Sequence, residues 1–589
     1  MEVIKRDIVV VGGGGAGLRA AIAANLADPA LSVALISKVV PMRSHTVAAE
    51  GGSAGVIRDD DSIDNHFDDT VSGGDWLCDQ NAVQYFVEHC AEEMVQLEHW
   101  GCPWSRLDDG RINARFFGGM KVQRTWFAAD KTGFHIQHTL FQTSIKYSGI
   151  QRFDEFFVAD LIVDDGRVRG VLAIEIATGT LYLFECKAVI LCTGGAARLY
   201  GQNTNAGIVT GEGMGMAYRQ GVPLRDMEFV QYHPTALLGS GILITEGCRG
   251  EGAILTNRHG YRYLQDYGLG PPDPWPRTKA MELGPRDLLS QAFWHEEQNG
   301  NTIDTPRGRA VHLDLRPLGA QRIHERLPLI TEVVKTFVGI DPVTQPIPVR
   351  PSVHHTMGGI TTNRFTETHL PGLYAAGECA SVGIHGANRL GSNSLSELLV
   401  FGRVAGERAA AYARGVVDGR SADIHRQAEA AAVPLLALLS RDAGERVATL
   451  RDALGETMEA GVGIFRSADG MRATCDRLTE LRGRYRAGIR LDDHSRTFNT
   501  EWLSAIELGF MLEVAEALAH SAYHRQESRG AHVRLDEYAT RDDARYLRHS
   551  LAGYGGEGPP TISYSPVTIT RSQPKTRSYG GAGLQAVLT

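Results

Sequence analysis

Histidine and arginine recur in several glycine-flanked loops of this chain. The loops are residues 232–235, 245–252, 284–287, 354–359 and 385–395. An arginine fork matches the two oxygens of a carboxylate, and a histidine adds a further hydrogen-bond donor. Each segment could be an ordinary loop, so the prediction depends on their number and on their meeting in space. The side chains expected to form a pocket for a small dianion are His233, Thr245, His354 and Arg389.

A glycine-rich turn follows the first predicted strand, residues 7–11. Gly12, Gly14 and Gly17 have the G-x-G-x-x-G spacing and precede a predicted alanine-rich helix over residues 18–26. The first glycine makes the turn, the second lets a pyrophosphate approach, and the third lets the helix pack on the strand. The free N–H groups at the helix start can bind an anion. A turn without a ligand is the alternative, but the flanking strand and helix favour dinucleotide binding.

The end of the second predicted strand bears on which dinucleotide is bound. This strand covers residues 32–36 and continues into Ser37 and Lys38. An enzyme that binds NAD usually has an acidic residue here for the ribose. The sequence therefore favours FAD, or at least does not favour NAD.

The remaining strands and helices predict an α/β fold with more than one domain. Two further buried strands, near residues 188–195 and 373–378, are predicted to join the first in a parallel sheet. A proline- and loop-rich stretch separates them. Later segments, residues 449–461, 468–485 and 502–522, repeat apolar residues at helical period and are predicted helices. We predict a Rossmann-like FAD-binding domain (1–232 and 354–415), an inserted α+β capping domain (233–353), a C-terminal helical domain (416–540) and a surface segment (541–589).

Composition and charge exclude several classes of protein. The net charge of -9 argues against a nucleic-acid partner. No apolar run is long enough for a bilayer, and the first strand starts too early for a leader peptide. The eight cysteines form no C-x-x-C pair, so no metal site is predicted. Cys248 is expected to be a packing residue, although Arg249 beside it leaves open a reactive thiol.

Longer motifs carry a resemblance to a known family. They are the glycine turn, Arg43-Ser44-His45-Thr46-Val47, His233-Pro234-Thr235, and the stretches 245–251, 385–391 and 527–532. Their order over essentially the whole chain resembles the flavoproteins of the succinate dehydrogenase and fumarate reductase family, and most closely the bacterial quinol:fumarate reductase branch. The resemblance implies an FAD-dependent oxidoreductase.

The resemblance also assigns residues to the cofactor. His45 matches the histidine that bonds covalently to the flavin 8α-methyl, so it is not expected to be an ordinary surface histidine. Glu212 stands where the family more often has aspartate, and it keeps the carboxylate. The other matched FAD contacts are Gly12, Gly13, Gly14, Gly15, Ala16, Ser37, Lys38, Ser44, Thr46, Ala49, Glu50, Gly51, Gly52, Phe156, Phe157, Val158, Glu378, Ser394 and Leu395.

Substrate and proton-transfer roles follow in the same way. His233, Thr245, His354 and Arg389 match the groups that bind the dicarboxylate. Glu246, Arg249 and Arg286 match the proton path, with Arg286 as the acid that protonates fumarate. Residue chemistry alone would nominate Glu246 or a histidine, because a guanidinium holds its proton tightly. His355 stands where an aromatic residue is more usual, so whether it or His354 faces the substrate is open.

The implied reaction is hydride transfer from covalent FAD to fumarate, giving succinate. Electrons would come from quinol through a partner iron–sulfur subunit and membrane anchor subunits. The chain itself would lie peripherally on the cytoplasmic face of the inner membrane. Succinate dehydrogenase, the same site in reverse, is the first alternative, although residues 73–78 and 131–135 favour the reductase. L-aspartate oxidase lacks the covalent histidine, and a non-catalytic flavin-binding protein would not need Arg286 and Arg389.

Overall fold

The computed structural model describes residues 1–269, 281–416 and 422–577. Residues 578–589, which end the predicted surface segment, lie outside this part. Among the described residues, no helix combines the length and the apolar character needed to cross a membrane.

A parallel five-stranded sheet carries the glycine turn. Across the sheet its strands are Leu373–Ala375, Ala188–Leu191, Ile8–Val11, Val33–Ser37 and Ile150–Asp154. The first four are buried throughout. On one face Val10 packs with residues of the helices, and on the other face Val9 and Val189 share a core with a second, four-stranded sheet. Helix Gly15–Ala27 begins inside the glycine turn and packs along helix Asn393–Gly415. The predicted α/β class and the joining of distant strands are confirmed.

A second sheet has four strands and shares a hydrophobic core with the first. Its order is Glu2–Lys5, Leu181–Glu185, Arg167–Glu175 and Phe156–Asp164. The last two strands form a hairpin at Asp165 and Gly166, which both have positive φ, 49° and 66°. Two such residues are what a two-residue type I′ turn requires.

The inserted region has a sheet and a core of its own. Its strands, across the sheet, are Val230–Leu237, Ile347–Thr356, Gly308–Asp314 and Ile254–Thr256, and Ile303–Thr305 pairs with the third. Its helices are Glu246–Glu251, Arg286–Gln298, Ala320–Arg326 and Pro328–Val338. Buried apolar residues from Leu237 to Val349 form one cluster. The exact domain boundaries stay a prediction.

Helices dominate the chain after the last parallel strand. They are Asn393–Gly415, Ala422–Ala437, Val447–Gly461, Ala468–Ala487 and Thr500–His524. Earlier helices are Ile63–Gly73, Gln80–His99, Thr132–Ile145 and Glu212–Arg219. Beyond them, strands Arg548–Gly553 and Thr561–Pro566 join a mixed sheet through Leu224–Arg225. The described part of the predicted surface segment thus contributes to a sheet.

Candidate active site

An elongated cavity opens at the carboxyl ends of the parallel strands. The space within it, including open solvent at its mouth, is about 1360 Å³. All but three of the predicted FAD contacts line it, including His45, Glu212 and Ser394. The three exceptions are Glu50, Gly51 and Gly52. Glu50 is buried near Arg115, and burial raises the pKa of its carboxyl.

The glycine turn has the geometry that its spacing predicts. Gly12 has φ of +114°, and a Cβ there would lie 2.1 Å from the carbonyl oxygen of Cys192. A Cβ on Gly17 would lie 1.8 Å from the carbonyl oxygen of Gly12. Neither position can hold a side chain, because real Cβ atoms do not approach backbone so closely. The helix start is therefore packed tightly against the sheet, and residues 12–16 line the cavity.

Two buried hydroxyl groups on the cavity wall fit a polar cofactor. Ser44 Oγ and Thr193 Oγ1 have no hydrogen-bond partner in the described part of the chain. Buried polar atoms are normally satisfied, so orphaned ones on a cavity wall indicate a ligand. Together with the helix start, they are suited to the phosphates and hydroxyl groups of FAD.

Lys38 is held on the cavity wall by two carboxylates. Its Nζ lies 2.7 Å from both Glu212 and Glu507. Burial opposes the charge, but the two acids outweigh it and raise the pKa of Lys38. Glu507 comes from helix Thr500–His524, so the helical region fixes a predicted cofactor residue. Sequence reasoning missed Glu507, because a lone acid in a helix gives no signal.

His45 lies in the short helix His45–Ala48 and lines the cavity. The backbone N–H of Ala206 donates to its Nδ1 over 3.4 Å. Burial lowers the pKa of His45 to about 4, so the ring is neutral at physiological pH. Because Nδ1 accepts this hydrogen bond, the proton of the neutral ring is on Nε2, and Nε2 must lose it to form a bond to carbon.

The predicted proton path is a connected set of buried charges. Glu246 Oε2 lies 2.8 Å from Arg286 Nε, 2.7 Å from Arg286 Nη2 and 3.7 Å from Arg249 Nη2. Burial would raise the pKa of Glu246, but the two guanidinium groups lower it, so the carboxylate is ionised. Gln231 Oε1 accepts from Arg286 Nη1 over 3.0 Å. Gln231 was not predicted and carries no motif that would have marked it.

The predicted dicarboxylate residues lie beside this path. The rings of His233 and His354 have centroids 5.1 Å apart. Arg389 lines the cavity and donates to Ser394 Oγ over 3.1 Å. Burial and the nearby Arg286 lower the pKa of Arg389 to about 9. Thr245 is buried and caps helix Glu246–Glu251, its hydroxyl accepting from Gly247 N–H over 3.2 Å.

Strand geometry separates the two adjacent histidines. Neighbouring residues of a strand point to opposite faces. His354 Nδ1 lies 2.8 Å from Thr204 Oγ1, next to His233. His355 Nδ1 lies instead 3.3 Å from Glu378 Oε1, and its ring lies edge-on to His385. Both line the cavity, but only His354 shares the side of His233.

Sequence reasoning missed other parts of the cavity wall. They include Thr193, Gly194, Gly195, Thr204, Ile208, Val209 and Leu398. Residues 193–195 follow a parallel strand at the same sheet edge, a position that could have marked them. Cys248 is fully buried, as expected of a packing residue, and burial raises the pKa of its thiol, which does not favour the alternative of a reactive thiol.

One group of potential metal ligands occurs in the described residues. His355, His385 and Glu397 place ligand atoms within 4.8 Å of one another. His385 Nε2 and Glu397 Oε2 are already hydrogen-bonded over 2.7 Å. Arg389 beside them adds positive charge that opposes a cation. That no metal is bound stays a prediction.

Comparison with known proteins places the chain in a family. The FAD binding domain family matches residues 7–395, and the fumarate reductase flavoprotein C-terminal family matches residues 451–579. Fold and cavity together define an FAD-dependent oxidoreductase. The fumarate reductase flavoprotein subunit of Proteus vulgaris is 61% identical over 99% of this chain and 98% of its own. The chain belongs to the flavoprotein family of fumarate reductases and succinate dehydrogenases, and the resemblance drawn from its motifs is confirmed.

Solved structures agree with this membership. An Escherichia coli quinol fumarate reductase variant is 60% identical and has a TM-score of 0.97, covering 99% of this chain and 100% of its own. A quinol-fumarate reductase with menaquinol molecules has a TM-score of 0.95 at 60% identity, covering 98% of this chain and 100% of its own. The succinate dehydrogenase flavoprotein subunit of Rickettsia bellii is 40% identical over 96% of each chain.

Proposed function

We propose that this chain is the flavoprotein subunit of a fumarate reductase and converts fumarate to succinate. The observation that carries the proposal is a cluster of cationic and imidazole side chains at the cofactor cavity, where Arg389 and His354 line the wall and Arg286 lies against Glu246 close by. Such a pocket suits a small dianion. Relatives about 60% identical over nearly the whole chain are named fumarate reductase flavoprotein subunits.

The cofactor is FAD, held by the glycine turn, Ser44 and Lys38, and attached covalently at His45. The position of His45 on the cavity wall and its neutral ring support the attachment. When bound, FAD supplies a hydride and converts between two-electron and one-electron chemistry. The chain's own part is to hold, orient and shield the reactants.

The substrate carboxylates are bound by Arg389, His233, His354 and Thr245. The guanidinium of Arg389 binds one carboxylate through two nitrogens. The two histidines donate hydrogen bonds to substrate carboxylate oxygens, where negative charge develops during the reaction. The clamp keeps the alkene carbon in the orientation needed for reaction.

Arg286 delivers the proton. Addition of a hydride to one alkene carbon of fumarate leaves an electron pair that must take up a proton at the other. Arg286 gives that proton, and Glu246, which contacts both Arg286 and Arg249, replaces it. Because Glu246 is ionised, it can accept a proton, and because it is buried, that proton must reach it through neighbouring groups such as Arg249.

Electrons reach the chain from quinol through an iron–sulfur subunit and membrane anchor subunits, at the cytoplasmic face of the inner membrane. The support is the name of the solved relatives, quinol-fumarate reductases, one of them with menaquinol. Succinate dehydrogenase remains the second candidate, because a relative with that name is 40% identical.

Two measurements test the proposal. Acid-precipitated protein should keep flavin fluorescence in the pellet, and a His45→Ser variant should lose it. Anaerobic fumarate reduction with reduced viologen should be faster than succinate oxidation with a dye acceptor. Free flavin in the supernatant would contradict the covalent bond, and no turnover with either substrate would contradict the function.

A further inference from the structure

The last described residues, 568–577, form a strap across the FAD-binding region. The side-chain oxygen of Gln80 accepts from the backbone N–H groups of residues 570–572, each over 3.0 Å. Gln80 N–H also donates to the carbonyl of Thr568 over 2.8 Å. The strap is thereby fixed to the start of helix Gln80–His99.

The far end of the strap contacts the inserted region. Arg577 Nη1 lies 2.7 Å from Asp287 Oδ2, and Nη2 lies 3.4 Å from Oδ1. The side chain of Asp287 is only 2% exposed and that of Arg577 14%. A two-pronged pair of this kind is directional, and burial protects it from screening by salt. The strap therefore ties the FAD-binding region to helix Arg286–Gln298.

The position of Asp287 gives this tie a consequence for the site. Asp287 directly follows Arg286 in the first turn of its helix. Arg577 Nη2 also lies 3.5 Å from the carbonyl of Gly73, which accepts from Asn388 Nδ2 over 3.4 Å. Asn388 directly precedes Arg389. One guanidinium thus contacts the immediate surroundings of both arginines of the proposed site.

We infer that Arg577 is a positioning residue that helps to set the distance between Arg286 and Arg389. The inference rests on the proposed function of that pocket. Arg286 lies in the inserted region and Arg389 in the FAD-binding region, so their spacing depends on contacts between the two regions. Gln231 provides one such contact, accepting from Arg286 Nη1 over 3.0 Å and donating to the carbonyl of Arg389 over 2.8 Å. Arg577 provides a second. The arginine that grips the substrate and the arginine that protonates it must keep this spacing to within a fraction of an ångström, since misplacement by about 1 Å can cost on the order of 100-fold in rate.

Arg577→Ala in the full-length, flavin-loaded enzyme tests the inference. Its kcat for fumarate should fall by about 10- to 100-fold, while the KM for fumarate and the flavin content stay close to wild type. Arg577→Lys should recover part of the loss, because it keeps the ion pair. Arg571→Ala is the matched control. Arg571 lies in the same strap, pairs with Asp64 and stacks on the ring of Phe67, but it contacts neither arginine of the proposed site, so its loss should leave kcat close to wild type.

Asp287→Asn provides a second, independent route. It should reproduce the loss seen in Arg577→Ala, and the double variant should be no slower than either single variant, as for two members of one interaction. The inference fails if Arg577→Ala turns over like Arg571→Ala. It also fails if flavin content and melting temperature fall in step with activity without rescue by lysine. If the wild-type enzyme does not reduce fumarate, the proposed function fails first.

Discussion

The two adjacent histidines give a direct test of how the site is built. His354 is held at Nδ1 by Thr204, 2.8 Å away, which leaves Nε2 for one hydrogen bond to a substrate carboxylate. A hydrogen bond to a charged group contributes about 1.5–3 kcal/mol. A tenfold change in affinity corresponds to about 1.4 kcal/mol. His354→Ala should therefore raise the KM for fumarate by about 10- to 150-fold.

His355→Phe is the matched comparison. His355 pairs with Glu378 on the opposite face of the strand, and phenylalanine restores the aromatic type more usual at this position. The KM for fumarate should change by less than about threefold, since no hydrogen bond to substrate is lost.

The assay is steady-state fumarate reduction with reduced viologen under nitrogen, at equal flavin content for each variant. A melting curve with and without added succinate checks folding and binding together. If His355→Phe raises the KM more than His354→Ala does, the assignment of faces is wrong. If neither changes it, the pocket described does not bind the substrate.

Three further predictions follow from other contacts. Arg286→Lys should abolish turnover but keep fumarate affinity, measured from the flavin spectrum, because lysine cannot contact Glu246 through two nitrogens. Burial lowers the pKa of His549, but pairing with Asp226 outweighs it and raises the pKa to about 8. The pair should stabilise the fold by about 2 kcal/mol below pH 6.5, a contribution lost as pH rises through 8, measured by urea unfolding at pH 6 and 9. Glu507→Gln should lower the free energy of unfolding by about 1–3 kcal/mol in the same assay, because Lys38 loses one of its two acids.

The sequence was enough to predict the sheet and the cofactor end of the site. Short apolar runs that end in glycine predict the strands of the parallel sheet. The steric need for glycine at positions 12 and 17 follows from the spacing of the motif. The predicted helices over residues 449–461, 468–485 and 502–522 lie within observed ones, with ends shifted by a few residues.

Contacts between distant segments could not be predicted from the sequence. Gln231 beside Arg286, Glu507 beside Lys38 and Thr204 beside His354 each come from a different element, and none carries a local motif. Strand alternation alone could have placed the two histidines on opposite faces, but not which face meets His233. The convergence of the polar loops, on which the first prediction depended, is likewise a property of the folded chain.

The order of the parallel strands constrains when the protein can take up its cofactor during synthesis. The edge strand Leu373–Ala375 and the wall residues Ser394 and Leu395 come late in the chain. A ribosome adding about 5–20 residues per second needs on the order of 20–80 s to reach them. Until then the nascent glycine turn has no complete binding site, so flavin loading must be a late or post-translational event.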